Sequence, residues 1–225
     1  MDAADDAALS SPPLRQHRAT IVSLTFYYAP MSTAAITSTV LEELGVPYEK
    51  VKVDIRNGES RKPEFLRLNP NGKVPLIVHD GTAVWESAAI TLYLGEVFGV
   101  DKGLYPAPGP ERGEAMKWII WTNVTLGEAV SRWFRNTSDW TPAEQHNAKT
   151  AEVAKADIQN CLRILDEALA GKQFLLGGYT LVDSHVSSLT GWLRSMTDLS
   201  PYANLNGWSS RCAARPAHAR AAAIG

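Results

Sequence analysis

Apolar positions along this chain change period several times, and each change marks an element. Residues 21–28 are dominated by β-branched and aromatic side chains, which predicts a strand. Ile36, Val40, Leu41 and Leu44 then recur at helical spacing and stop at Gly45. Val51-Lys52-Val53 alternates again, so the first three elements predict a parallel βαβ unit with a right-handed crossover. Residues 76–78 and 83–85 flank Asp80-Gly81, a two-residue turn signal, and predict an antiparallel hairpin. Directly behind it Ile90, Tyr93, Leu94 and Val97 mark a helix, with Ser87 as its N-cap candidate.

From there on only helical periods occur. Gly103 and Pro106-Ala107-Pro108-Gly109-Pro110 read as a stiff linker. Beyond it Trp118, Ile119, Thr122, Leu126, Val130 and Phe134 mark a long amphipathic helix, and Ile158, Leu162, Leu165 and Leu169 mark another that stops at Gly171. Thr180-Leu181-Val182-Asp183 has capping-box spacing ahead of Val186, Leu189 and Leu193, so Asp183 reads as structural. The fold class is therefore α/β plus all-α, a thioredoxin-like N-terminal domain followed by a C-terminal helical bundle. The expected divisions are a disordered extension at 1–18, the α/β domain at 19–100, a linker at 101–110 and the helical domain at 111–225.

Composition narrows the function classes. With 225 residues and a net charge of -2, the chain carries no nucleic-acid footprint and no polybasic membrane patch. Its two cysteines, Cys161 and Cys212, form neither a disulfide framework nor a Cys-x-x-Cys motif, which fits a reducing cytoplasm. No apolar run has the length of a membrane helix, and no basic-then-apolar leader opens the chain. The five histidines are scattered without Cys, Asp or Glu at ligand spacing, so no metal site is expected.

The chemistry concentrates in two segments. In Asn69-Pro70-Asn71-Gly72-Lys73-Val74-Pro75 a proline stands at a strand entry, where it removes a ladder donor; a cis Val74-Pro75 bond there leaves the Val74 backbone free to pair with an extended peptide. Trp85-Glu86-Ser87 ends the hairpin at a helix start, where free N–H groups suit a carboxylate and Glu86 suits an ammonium. Capping by Ser87 and dipole complementation by Glu86 explain the same residues without a ligand.

Taken together, these segments resemble the soluble glutathione transferase family, nearest to its serine-type phi-like and bacterial members. Gly178-Tyr179-Thr180-Leu181-Val182-Asp183 extends the resemblance, because it looks like the family's helix-start motif. The resemblance implies glutathione as co-substrate, with Val74 and Pro75 on its cysteinyl backbone and Glu86 with Ser87 on its γ-glutamyl group. Arg61 and Lys73 would take the glycyl carboxylate, with Ser60 standing where phi-type members usually have a histidine. It further implies a homodimer, a detoxifying conjugation and an acceptor pocket bordered by Met31, Trp118, Trp121 and Trp133. Tryptophans at helical spacing are also ordinary core residues.

The reactive turn is Tyr27-Tyr28-Ala29-Pro30-Met31-Ser32-Thr33, at the strand-to-helix edge where α/β sheets bind ligands. A thiol placed there meets a helix N-terminus, and one hydroxyl donor completes the stabilisation of its thiolate. Ser32 is the candidate donor, since Pro-Met-Ser-Thr resembles the serine turn of phi-type members; Thr33 and a tyrosine, Tyr27 or Tyr28, are the rivals. Two classes of function follow. One is a transferase that moves the glutathione thiolate onto an apolar electrophile, or a peroxidase, isomerase or lyase using the same thiolate. The other is a non-enzymatic glutathione-binding or docking module.

Overall fold

A computed structural model describes residues 23–194 and 197–224. The expected disordered extension and the first residues of the first expected strand lie outside the described residues. The sheet contains β1 (Leu24–Tyr28), β2 (Glu49–Lys52), β3 (Leu76–His79) and β4 (Thr82–Trp85) in the order β2-β1-β3-β4. β1 and β2 are parallel, and the other two pairs are antiparallel. The connection between β1 and β2 is α1 (Ala34–Leu44), and β4 runs into α3 (Ser87–Leu94). A short helix, α2 (Pro63–Leu66), precedes β3. This is the thioredoxin-like half.

Period-2 alternation in β1 explains its two faces. Leu24 and Phe26 are buried against Val40, Leu41 and Leu44 of α1 and Ile90 and Leu94 of α3. Tyr27 points to the other face, where it packs with Val53, Phe65 and Leu76. Each such side chain contributes about 1.5–3 kcal/mol when fully buried. Asp80 and Gly81 both have positive φ, 48° and 81°, as a two-residue hairpin turn requires.

The helical half comprises α4 (Pro110–Trp121), α5 (Gly127–Arg135), α6 (Ala148–Ala168), α7 (Leu181–Leu193), α8 (Ala203–Ala213) and α9 (Pro216–Ala222). Ile119, Leu126, Leu162, Leu165, Val186 and Trp208 lie at its centre. The long helix expected from Trp118 to Phe134 is divided by a π turn, Thr122–Leu126. Thr122 donates its hydroxyl back to the Trp118 carbonyl at 2.8 Å, and a Cβ at position 127 would stand 2.9 Å from the Thr122 carbonyl oxygen. Glycine at 127 is therefore what lets the turn close.

α7 starts on a complete capping box: the Thr180 side chain caps the first turn and Asp183 accepts from the Thr180 N–H at 3.0 Å. α9 lies against α1, held by two acid–arginine pairs. Arg215 donates to both Glu43 carboxylate oxygens at 2.6 and 2.8 Å, and Arg220 donates to Glu42 at 2.7 Å. The helix that begins at the reactive turn is thus packed between the sheet and the C-terminal helices.

Candidate functional site

Strand register gathers the two chemical segments at one end of the sheet. Leu76 pairs with both Tyr27 and Trp85, so Tyr28, the Val74-Pro75 loop and Glu86 follow each other across that edge. The Val74-Pro75 bond is cis. Neither backbone polar group of Val74 makes a hydrogen bond among the described residues. Asn69 builds the loop from beneath: it is buried, its Nδ2 donates to the Lys73 carbonyl at 2.7 Å, and its Oδ1 accepts from the Asn71 N–H at 3.0 Å. Gly72 has φ 60°, and a Cβ there would lie 2.8 Å from the Ser60 carbonyl oxygen and 2.9 Å from an Arg61 guanidinium nitrogen. Arg61 donates to the Asn71 carbonyl at 3.2 Å, so its cation lies along the same turn as Lys73, and both are exposed.

Glu86 has φ 70°, unfavourable for a side-chain residue, and Met31 in the reactive turn has φ 54°. Of the three non-glycine residues with positive φ among those described, two therefore flank this edge, and only Asp80 lies in an ordinary turn. Ser87 opens α3, and the N–H groups of Ser87, Ala88 and Ala89 are unpaired among the described residues, a ready carboxylate site.

In the reactive turn Ser32 donates to the Ala29 carbonyl at 2.7 Å and accepts from the Ala34 N–H at 3.2 Å. Its hydroxyl is therefore pinned at the start of α1. Ser32 and Tyr28 both line a cavity of about 340 Å³ between α1 and the C-terminal helices, with Met31 at its mouth; Thr33 is exposed and does not line it. Tyr28 stacks on Phe26 at 5.7 Å, whereas Tyr27 meets Phe65 on the opposite face and stays out of the cavity. Ser38, Thr39, Ser187 and Ser188 bring hydroxyls to the wall, and Arg194 brings a guanidinium. The wall thus sets these polar groups among apolar side chains such as Met31, Ala35 and Ile224.

Of the expected pocket residues, Met31 alone borders this cavity. Trp118 is buried in the helical core, edge-on to Trp121 at 5.3 Å, and Trp133 packs on the same core beside a separate small cleft. Helical periodicity marks a buried face but not which buried face meets a void, and α7 and α9, which do line the cavity, carried no chemical signal. Cys161 and Cys212 are free and buried, and burial pushes both thiols up, Cys212 to about 12, so neither is a ready nucleophile. No cluster of three or more His, Cys, Asp or Glu suited to a metal ion occurs among the described residues, and no helix there is long and apolar enough to cross a membrane.

Sequence reasoning also missed a line of polar side chains behind Ser87. Asn123, in the π turn, donates from Nδ2 to Ser87 Oγ at 2.8 Å; its Oδ1 meets His185 Nε2 at 2.8 Å, and His185 Nδ1 meets Thr91 Oγ1 at 2.8 Å. Nothing in the spacing of Asn123 or His185 announces this, because the contacts join residues up to 94 positions apart. Burial drives the His185 pKa down to about 3, against about 6.5 for an exposed imidazole. Between those values the unfolded chain binds a proton that the folded chain does not. Stability is therefore expected to fall as pH drops from about 6.5 toward 3, with a His185 share approaching about 1.4 kcal/mol per pH unit. Denaturant melts across that range should show a shallower acid slope for His185→Gln, and parallel slopes would contradict the assignment.

Comparisons with known proteins match both halves of the chain. The family model described as the glutathione S-transferase N-terminal domain matches residues 22–96, and that of the C-terminal domain matches residues 126–216. The disulfide-bond oxidoreductase YfcG of Escherichia coli is 29% identical over 204 residues, covering 87% of this chain and 92% of that protein. The glutathione S-transferase GstB of the same organism is 31% identical over 185 residues, covering 79% and 86%. Among solved structures, a glutathione transferase from Burkholderia graminis with two glutathione molecules bound per subunit superposes with TM-score 0.78 at 27% identity, covering 88% of this chain and 87% of that one. The URE2P6 transferase of Phanerochaete chrysosporium, in complex with oxidised glutathione, gives TM-score 0.83 at 24% identity, covering 90% and 96%.

Proposed function

Because this chain belongs to the glutathione S-transferase family, we propose that it binds reduced glutathione across the end of its sheet and delivers the thiolate to a second substrate in the adjoining cavity. The carrying observation is the convergence of an unpaired Val74 backbone, Glu86 and the open start of α3 at the edge that also holds Ser32. Val74, turned by Pro75, adds the tripeptide backbone as a strand. Glu86 takes the γ-glutamyl ammonium, and Ser87 with the α3 N–H groups takes its carboxylate. Arg61 and Lys73 face the glycyl carboxylate, a role the guanidinium fills bidentately.

Ser32 is the proposed thiolate donor. It lines the cavity, which Thr33 does not, and Tyr28 remains the rival that also reaches it. The thiol proton leaves to solvent, so no general base is needed. In a displacement the sulfur forms a bond to the electrophilic carbon and the leaving group departs with its electron pair; in a conjugate addition that pair moves into the acceptor, which then takes a proton. A second reading takes a disulfide as the acceptor. The thiolate would then attack one sulfur and the other would leave as thiolate. The E. coli relative named as a disulfide-bond oxidoreductase supports the same reading.

Titration of bound glutathione by thiolate absorbance tests the proposal. A bound thiol pKa clearly below that of free glutathione is expected; an unshifted pKa or no binding would favour a non-enzymatic docking module. Parallel assays with a chloronitrobenzene and a small organic disulfide separate the two acceptors. Glu86→Gln should weaken glutathione binding about tenfold, since it removes one charge-assisted contact. Unchanged binding by calorimetry would remove the γ-glutamyl assignment.

A homodimer is the proposed assembly. Met116, Ile120 and Val124 stand exposed at four-residue spacing on α4 and the π turn, an uncovered apolar stripe. Light scattering should give twice the 24.5 kDa chain mass, and a monomer at micromolar concentration would overturn this assignment. The reduced cysteines suit the cytoplasm as its compartment.

A further inference from the structure

The line Ser87, Asn123, His185, Thr91 has a direction, and that direction selects its ligand. Asn123 donates to Ser87 Oγ through Nδ2, which turns its Oδ1 toward His185. His185 must then donate from Nε2. The ring is fully enclosed, and burial keeps it neutral, so Nδ1 carries no hydrogen and accepts from the Thr91 hydroxyl. Every bond therefore points the same way, from Thr91 through His185 and Asn123 to Ser87. Ser87 Oγ, having accepted, has its own hydrogen left to give. No other partner for that hydroxyl occurs among the described residues.

The line also crosses the molecule. Thr91 and Ser87 stand on α3, one turn apart, while Asn123 comes from the π turn and His185 from α7. π turns insert one residue into a helix and recur at functional positions. Here the inserted turn carries Asn123, and Gly127 closes it against the Thr122 carbonyl.

We propose that Asn123 and His185 are positioning residues that hold Ser87 as an obligate hydrogen-bond donor to an anionic ligand group, the carboxylate of the γ-glutamyl moiety. This rests on the glutathione site proposed above. A Ser87 hydroxyl free to rotate would spend part of its time with its lone pairs toward the carboxylate. With Asn123 in place that orientation is closed to it, and the carboxylate meets a fixed donor beside the α3 N–H groups.

The distinguishing variant is Asn123→Asp, which keeps the shape and the bond from His185 but turns the donor facing Ser87 into an acceptor. Ser87 must then direct its hydrogen inward. Calorimetry would compare glutathione with its analogue lacking the glutamyl α-carboxylate. The wild type should prefer glutathione by about tenfold or more, the worth of a charge-assisted hydrogen bond. Asn123→Asp should lose most of that preference, and KM for glutathione should rise in step while kcat at saturation falls far less. A variant that kept the full wild-type preference would overturn the directional relay while leaving the glutathione site intact. A wild type without any preference would overturn the γ-glutamyl site itself, and the relay with it. Asn123→Ala, which removes the same donor without adding charge, is read by the same criteria should Asn123→Asp fail to fold by circular dichroism.

Discussion

Replacing Ser32 by alanine is expected to lower kcat/KM for glutathione-dependent turnover about a hundredfold, the usual effect of removing one donor from a developing or resident anion. The hydroxyl now donates to the Ala29 carbonyl at 2.7 Å and accepts from the Ala34 N–H at 3.2 Å. The second bond polarises the hydroxyl and holds the oxygen in place, so its hydrogen can exchange a neutral carbonyl for a charged sulfur with little movement. The alanine variant should raise the pKa of the bound thiol while leaving the glutathione dissociation constant within a few-fold, because the tripeptide is held elsewhere. Its stability should fall only by about 1 kcal/mol, the cost of losing a helix-start acceptor. Thiolate absorbance and steady-state rates read these effects separately. Were the thiol pKa and kcat both unchanged, Ser32 would be a local cap and Tyr28→Phe the next variant to measure.

Asp183→Ala should destabilise the fold far more than the Ser32 or Glu86 substitutions. Its carboxylate is completely enclosed and accepts from the Leu175 N–H at 3.0 Å, the Thr180 N–H at 3.0 Å, the Trp208 Nε1–H at 2.8 Å and the Thr180 hydroxyl at 3.3 Å. Burial pushes the carboxyl pKa up, and these donors pull it part of the way back. Truncation leaves the donors buried without a partner, a cost of about 3–5 kcal/mol and a fall in Tm of about 10 °C for a chain of this size. Thermal denaturation checks this. A loss below about 1 kcal/mol would mean that water or a shifted side chain satisfies those donors.

Local signals account for what was legible. The change from period 2 to period 3.6 gives the order β1, α1, β2, hairpin and α3, because Leu24, Phe26, Val40, Leu41 and Leu44 each face one core. Thr180 and Asp183 declare a helix start three residues apart, and the structure contains the complete box. Asn71-Gly72, Val74-Pro75 and Glu86-Ser87 are contiguous motifs, and strand register brings them to one edge of the sheet. What stayed hidden depends on long-range meetings. The π turn at Thr122–Leu126 leaves the apolar spacing nearly unchanged while redirecting Asn123. The strand predicted at 51–53 appears as Glu49–Lys52, an exposed edge strand that few core contacts pin. The cavity wall comes from the reactive turn and from α1, α7, α8 and α9, and serines within amphipathic helices look like any other polar positions until the helices are packed.

The pairs that bind α9 to α1 also bear on when the site can exist during synthesis. Glu43 meets an arginine 172 residues later and Glu42 one 178 residues later. Loop closures of that span come late in folding, after the local hairpin and βαβ contacts have formed. At about 5–20 residues per second, a ribosome would hold the nascent chain for roughly ten to forty seconds between the α1 acids and their partners. Once α3 has been made, and for the rest of that interval, the thioredoxin-like half would carry its reactive turn without the wall that α9 completes.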